Sequence, residues 1–297
     1  MRITIEHTGQ VIGFDHLASV FFRTDLTPIP VNLELTVKLN DTLEQSLKEG
    51  TVLLVGNEDV RVTIIKVMNL NTQIVVDDKR FKAISLIAVL SGCESMIDPL
   101  NKAVVLEGTN FAGAYRASGC KLKFNKDIPL TRFVCAYGSL STIEVASCLQ
   151  EESAMLFFDK GKLSVQRLEQ FFNQEPVLTL DNSAIAWINN PKVEQHKVAA
   201  FVSVGEDGAI VQGANKPNSP VRYYPEADAR RLKNLSKVLV TRGTATRSMD
   251  MNINAGDIFL INDVKYVVLT AVHHFKSGAL GGATANASRY WLATMSN

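Results

Sequence analysis

The residue types in this 297-residue chain that invite chemical readings are a histidine pair, a glutamate pair, scattered serines, a glycine-rich stretch and one basic run. His273 and His274 could ligate a metal. Adjacent residues on a strand point to opposite faces, however, so the two cannot share an ion without a bulge. His7, His16 and His196 have no carboxylate or cysteine cluster at ligand spacing and read as ordinary surface or core histidines. Glu151 and Glu152 resemble the paired carboxylates of a glycosidase in type alone. As neighbours at the end of a short helix they project in different directions, and both are expected to be solvated. Ser118 beside Gly119, and the stretch from Ser139 to Ser141, lack the GxSxG elbow of a serine nucleophile. Gly278, Gly281 and Gly282 do not follow the strand-to-helix order of a phosphate cradle and read as a loop. Arg230, Arg231, Lys233 and Lys237 could touch phosphate or an acidic partner, but read as a solvated helix face. The sequon-like Asn234-Leu-Ser and Asn286-Ala-Ser carry meaning only after export. This reading assigns no catalytic, cofactor-binding or metal-binding residue, no cofactor and no enzymatic activity.

The elements that must position these residues are mostly strands. Val31, Leu33, Leu35, Val37 and Leu39 alternate with Asn32, Glu34, Thr36 and Lys38, which is the period of a strand with one wet face. Pro28 and Pro30 stand at its entrance, where a missing N–H does least damage. A short polar helix or turn is expected from about Asp41 to Lys48, ended by Gly50. Thr51 to Val55, a turn at residues 56–59, and Val60 to Val67 then read as a hairpin. Ile74 to Val76 and Phe81 to Leu90 add further strands.

The stretch 91–180 has a different texture. Ser141 with Glu144 reads as a capping box ahead of a short helix with an apolar side. A hairpin follows, Ala154 to Phe158 and Leu163 to Leu168 around residues 159–162. From 181 onwards strands return at Val198 to Val204, Ala209 to Val211 and Ser288 to Met295. A polar loop spans Gln212 to Pro220, and Pro225 introduces a charged helix from Glu226 to Lys233. The fold class expected is mainly β with some α: two tube-like β-barrels, over 1–90 and 181–297, flanking a small α+β module over 91–180.

Composition sets the outer bounds. Hydrophobic residues make up 46% and charged residues 21%, which excludes a disordered or fibrous chain. Lysine plus arginine total 31 against 30 for aspartate plus glutamate, so no global field favours a polyanion. The N-terminal segment has no apolar run of signal-peptide length, and no stretch approaches ~18 uninterrupted apolar residues, so neither secretory export nor membrane insertion is expected. Cys93, Cys120, Cys135 and Cys148 form no CxxC pair and read as reduced, mostly buried thiols made in a cytoplasm.

The chain also echoes itself. EGTVLLVGNEDVRVTIIKVM, from Glu49, matches AGDIFLINDVKYVVLTAV, from Ala255. Gly50 aligns with Gly256, Val52 to Val55 with Ile258 to Ile261, and Val60 to Val67 with Val264 to Ala271. The four turn residues of the first copy become two, Asn262 and Asp263, in the second. Both loop lengths suit hairpins, so each copy can hold the same register.

Three segments resemble baseplate hub proteins of contractile-tailed phages. VFFRTDLTPIPVNLELTVKL, from Val20, resembles the family's aromatic-Arg-x-Asp-x-x-Pro-x-Pro entrance to a first barrel strand. LSTIEVASCLQEESAMLFFDKGKLSVQRLE resembles its middle domain, and AGDIFLINDVKYVVLTAVHHF its second barrel. The family is similar to the hub part of type VI secretion spikes. The resemblance implies a non-enzymatic virion component, assembled in the host cytoplasm, in which each subunit contributes two barrels and a homotrimer presents six in a ring. Such a ring joins a sixfold tail tube to a threefold spike within the baseplate and lets DNA pass through its lumen during ejection. The partners implied are the tail tube protein, the spike protein and other baseplate subunits. The chain is shorter than the larger family members, whose extra domains are expected to be absent, and no fused lysozyme or spike segment is visible. A tube initiator or distal tail subunit on the same barrel is the alternative, and a cell-wall hydrolase a more remote one.

Overall fold

The computed structural model describes residues 1–70, 75–76, 79–80, 82–188, 198–213 and 219–296. The expected strand starts at Ile74 and Phe81, His196, and residues 214–218 of the polar loop lie outside the described residues.

The first part contains strands β1 (Ile3–Ile5), β2 (Leu17–Asp25) and β3 (Val31–Lys38), helix α1 (Asp41–Ser46), and strands β4 (Val52–Val55), β5 (Val60–Leu70), β6 (Val75–Val76), β7 (Lys79–Arg80) and β8 (Ala83–Leu90). Alternation in β3 does what the sequence predicts: Val31, Leu33, Leu35 and Val37 are buried, while the residues between them are not. Each such side chain contributes ~1.5–3 kcal/mol by leaving water. Asn40 caps α1, its Oδ1 accepting from Leu43 N–H at 2.9 Å.

The middle part contains β9 (Val104–Asn110), α2 (Phe111–Ala117), β10 (Phe124–Lys126), β11 (Pro129–Cys135), α3 (Ser141–Glu151), β12 (Ala154–Asp159), β13 (Lys162–Arg167) and α4 (Leu168–Phe171). The β12–β13 hairpin is the expected one, turning through Lys160 and Gly161, both at positive φ. The expected capping box does not form. Leu100 N–H donates to Ser139 O and Gly138 N–H to Leu100 O, which ties down the preceding turn and leaves Leu140 as the N-cap. Ser141 becomes the first helical residue, fully buried, with no partner for its Oγ.

The last part contains β14 (Leu178–Leu180), β15 (Ile185–Trp187), β16 (Ala200–Val204), β17 (Ile210–Gln212), β18 (Val221–Tyr223), α5 (Ala229–Leu235), β19 (Leu239–Ser248), β20 (Ile258–Ile261), β21 (Val264–Lys276) and β22 (Ala285–Met295). Helix α5 begins three residues later than Pro225 suggests. Glu226 sits at φ 53°, which interrupts the helix, and Asp228 caps it by accepting from Arg231 N–H at 2.7 Å.

The class is mainly β with some α. The β-rich ends are joined edge to edge in one twelve-stranded sheet, whose path runs β1-β4-β5-β8-β3-β2-β21-β22-β19-β15, with β20 and β14 added beside β21. Among the described residues its ladders follow this open path rather than closing into two separate barrels. One apolar core lies under the first half and the middle module, a second under the β20–β22 half, and a small third at the seam around Leu26, Phe171 and Ala293.

Candidate functional site

Both halves of the sheet carry the same ladder. Gly50 N–H donates to Ile64 O at 2.8 Å, and Ile64 N–H returns to Thr51 O at 2.9 Å. Gly256 N–H donates to Val268 O at 2.8 Å, and Val268 N–H returns to Asp257 O at 2.9 Å. The glycines adopt φ +87° and +98°, a region that suits a residue without Cβ. Val52 faces Thr63 and Val55 faces Val60 in the first hairpin; Ile258 faces Val267 and Ile261 faces Val264 in the second. The aligned residues of the sequence echo therefore occupy equivalent places.

The correspondence reaches well past the echo. The β5–β8 ladder skips a residue between Ile64 and Lys66, and the β21–β22 ladder skips one between Val268 and Thr270, the equivalent position. Strand β3 lies on β8 as β19 lies on β22, and β2 lies on β3 as β15 lies on β19. The order β1-β4-β5-β8-β3-β2 is thus repeated as β14-β20-β21-β22-β19-β15. One strand breaks the rule: β1 runs antiparallel to β4, whereas β14 runs parallel to β20.

The halves meet where β2 pairs with β21, from Ser19 opposite Lys276 to Asp25 opposite Thr270. Phe21 stacks on His274, with ring centroids 4.1 Å apart, and Phe22 stacks on His273 at 6.0 Å. Asp25, buried at the end of the seam, pairs with Arg23 and accepts from Thr270 Oγ1 at 2.6 Å. Thr24 Oγ1 accepts from Ala255 N–H at 2.9 Å, tying the approach to Gly256 to the first half. His273 is fully buried, its Nδ1 lies 2.7 Å from Ser288 Oγ, and its Nε2 has no partner. Burial holds its pKa down at about 4, so the ring is neutral near pH 7. The two histidines therefore serve opposite faces of the seam. Among the described residues no cluster of three or more His, Cys, Asp or Glu could hold a metal.

A cleft of about 550 Å³ opens beside the seam, lined in part by Phe22, Phe157, Asp159, Lys160 and Asp257. Burial raises the Asp257 carboxyl to about 6, with Asp159 adding to the effect. Its Oδ2 accepts from Asn254 N–H at 2.7 Å, so it closes the turn that leads into β20.

Glu151 and Glu152 correct the sequence reading. They are not solvated: the Glu152 side chain is 6% exposed and the Glu151 side chain 15%. Their partners are the arginines read as a solvated face. Arg230 grips Glu152 through two nitrogens at 2.7 and 2.8 Å, with Arg167 adding a third contact at 3.0 Å. Arg231 pairs with Glu151, whose other oxygen accepts from Tyr224 Oη at 2.6 Å. The hydrogen bond to Glu152 raises the Arg230 pKa, and burial together with the bond to Glu151 raises that of Tyr224. Neighbouring glutamates do diverge, as expected, but each finds its own arginine. The cluster fastens α5 and the small β16–β18 sheet onto α3. Helix periodicity gave no signal for this, because the partners lie about 80 residues away in sequence.

The remaining candidates have local roles. Ser118 Oγ donates to Ala114 O at 2.9 Å, His16 Nδ1 lies 2.8 Å from Lys38 O, and Lys237 pairs with Glu169. Asn234 Nδ2 donates to Glu151 O at 2.9 Å. The three glycines lie between β21 and β22, a strand-to-strand loop. His7 is exposed. No described helix is long and apolar enough to cross a membrane. The reading missed β2 as a strand, and β15 and β19 altogether, although β2 has the visible alternation Val20, Phe22, Thr24 and is the strand that makes the seam.

No protein-family profile and no curated protein sequence matches the chain. Its fold matches solved structures over nearly its whole length. A tail protein from Neisseria meningitidis MC58 superimposes with a TM-score of 0.65 at 9% identity, covering 99% of this chain and 95% of that one. The 43 kDa tail protein of prophage MuSo2 from Shewanella oneidensis gives 0.64 at 11% identity, over 98% and 97%. An E. coli component of the type VI secretion system, structurally similar to T4 bacteriophage tail proteins gp27 and gp5, gives 0.56 at 7% identity, over 93% and 73%. The chain thus shares the fold of phage tail proteins and of type VI secretion proteins.

Proposed function

We propose that this protein is a structural subunit of a phage-type tail, the hub of its baseplate, acting through shape rather than catalysis. A homotrimer would set six β units in a ring, with the sixfold tail tube on one side, the threefold spike on the other and a lumen through which DNA passes. The observation that carries this reading is the repeated strand order: one polypeptide holds two units with the same register, bulge and hairpin glycine. Three copies of such a chain approximate sixfold symmetry. The shared fold with tail proteins agrees with the reading, and so does the use of both histidines, both glutamates and three arginines in internal contacts.

Native mass measurement tests it. Three chains per particle are expected, with a threefold ring and a central channel in electron micrographs. A chain that stays monomeric at every concentration, or particles without a channel, would remove the hub reading.

A further inference from the structure

The halves share one strand order but differ in what lies against their long hairpin strand. In the second half, β21 extends beyond β20 and the free edge of that extension is covered by β2, with Phe21 opposite His274, Phe22 opposite His273 and Arg23 opposite Val272. In the first half, β5 extends beyond β4 in the same way, yet no described strand lies on that side. Lys66, Met68, Asn69 and Leu70 are exposed there; their equivalents Thr270, Val272, His273 and His274 are all covered to a greater degree. Among the described residues, Glu49 reaches this edge, its Oε1 accepting from Val67 N–H at a long 3.4 Å.

The strand equivalent to β2 is β15, which ends the sheet path, with no described strand on its outer side. Ile188 N–H donates inward to Arg242 O at 2.8 Å. Backbone groups alternate sides along a strand, so those of Trp187 and Ile185 face outward. Among the described residues, one half therefore has an uncovered acceptor edge and the other an uncovered covering strand.

We infer that β15 of one copy pairs antiparallel with β5 of a second copy, in the register that β2 and β21 use within the chain. Carrying the internal ladder across gives Ala186 opposite Leu70, Trp187 opposite Asn69 and Ile188 opposite Met68. The side chains agree with this placement. Met68 is 39% exposed, Leu70 38% and Ile188 43%, and the pairing would set these apolar side chains against one another. The occupant must be another copy of the chain, because the same polypeptide supplies both the edge and the strand, and β5 and β15 lie far apart along its own sheet. A contact that uses two different patches on each subunit closes into a ring when its rotation permits. The inference rests on the trimeric reading and adds the atoms that make each joint.

The test is a double variant of the full chain, Met68→Cys with Ile188→Cys, oxidised mildly and run without reductant beside the parent chain. Circular dichroism matching the parent establishes that it folds. A covalent trimer is expected, with a covalent dimer as its precursor. The pair Lys66→Cys with Ile188→Cys, displaced by two residues along β5, should link at least ~10-fold less, because diagonal neighbours lie beyond ordinary disulfide reach. If native mass shows a trimer while the displaced pair links as well or better, or neither links, the register is wrong and the ring reading stands. A monomer throughout overturns both. As an independent probe, Asn69→Pro removes an edge donor without touching the β8 ladder, and should weaken trimer association about tenfold per joint. Unchanged association would count against the pairing.

Discussion

The first and second halves of the sheet are the same six-strand design with different burdens. In the first half, β2 and β3 are joined by a short turn over Leu26–Pro30, whereas the equivalent strands β15 and β19 are separated by the β16–β18 sheet and α5. The first half places α1 between β3 and β4; the second crosses the same gap with a plain loop ending at Asp257. The hairpin core shared by both tolerated either insertion because neither interrupts the ladder that sets register. The chemistry diverged at two equivalent positions. Thr51 and Asn69 in the first half correspond to Asp257 and His273 in the second, so at these two places the second half carries titratable groups, held at about 6 and about 4, where the first half carries none.

That difference gives the largest predicted effect. His273 has a folded pKa lowered to about 4, so as pH falls from about 6.5 the unfolded chain takes up the proton first and stability drops, by ~3 kcal/mol when pH reaches 4. Asp257 has a folded pKa raised to about 6. As pH falls through 6 the folded chain takes up that proton first, and stability rises by a similar ~3 kcal/mol before the ordinary carboxylate range is passed. The two nearly cancel in the parent protein. Asp257→Asn should therefore lose about 3 kcal/mol between pH 7 and pH 4 relative to the parent, and His273→Asn, which installs the residue of the first half, should gain. Urea midpoints at pH 7, 5.5 and 4 read this directly. Parallel pH profiles for all three proteins would show that neither group is held as described.

A second effect concerns the insertion that only the second half carries. Glu152→Ala leaves Arg230 and Arg167 without their acceptor. Both arginines are nearly half exposed and can turn to water, so the cost is set at about 2 kcal/mol rather than the larger penalty of a stranded buried charge. Hydrogen exchange should speed up in α5 and β16–β18 and stay unchanged in β5 and β21. Uniform loosening of the whole sheet would mean that the insertion is not a separate attachment.

How much of this was legible beforehand depends on how far each signal reaches along the chain. The hairpin equivalence could be read because register is written locally: a glycine, an apolar alternation and a turn of permitted length. The β12–β13 hairpin and the outward and inward sides of β3 were legible for the same reason. The seam was not, because pairing Phe22 with His273 requires two segments some 250 residues apart to meet, and no local pattern distinguishes an edge that will be covered from one that stays open. The acidic cluster failed similarly, since a glutamate at a helix end looks solvated until α5 folds across it. Ser141 failed because the hydrogen bonds that Leu100 donates to Ser139 O and accepts from Gly138 N–H tie down the turn before the helix, whose N-cap is Leu140.

The two hairpin glycines offer the smallest and sharpest comparison. Both sit at positive φ and donate the equivalent N–H to the facing strand, Gly50 to Ile64 O and Gly256 to Val268 O, so alanine at either position carries the left-handed penalty of ~1–2 kcal/mol. Their surroundings differ. A Cβ on Gly50 would meet nothing within 4 Å, whereas one on Gly256 would come within 3.1 Å of a Phe171 ring carbon, with Leu26 and Phe157 at 3.6 Å. The second glycine is packed because the seam and the middle module both press on it, whereas the first is exposed, with no described atom within reach of its Cβ. Gly256→Ala should then cost about 1 kcal/mol more than Gly50→Ala in the isolated chain, read as the difference between urea midpoints. Equal costs would mean that Phe171 moves aside freely, and that the seam around Gly256 is looser than its contacts imply.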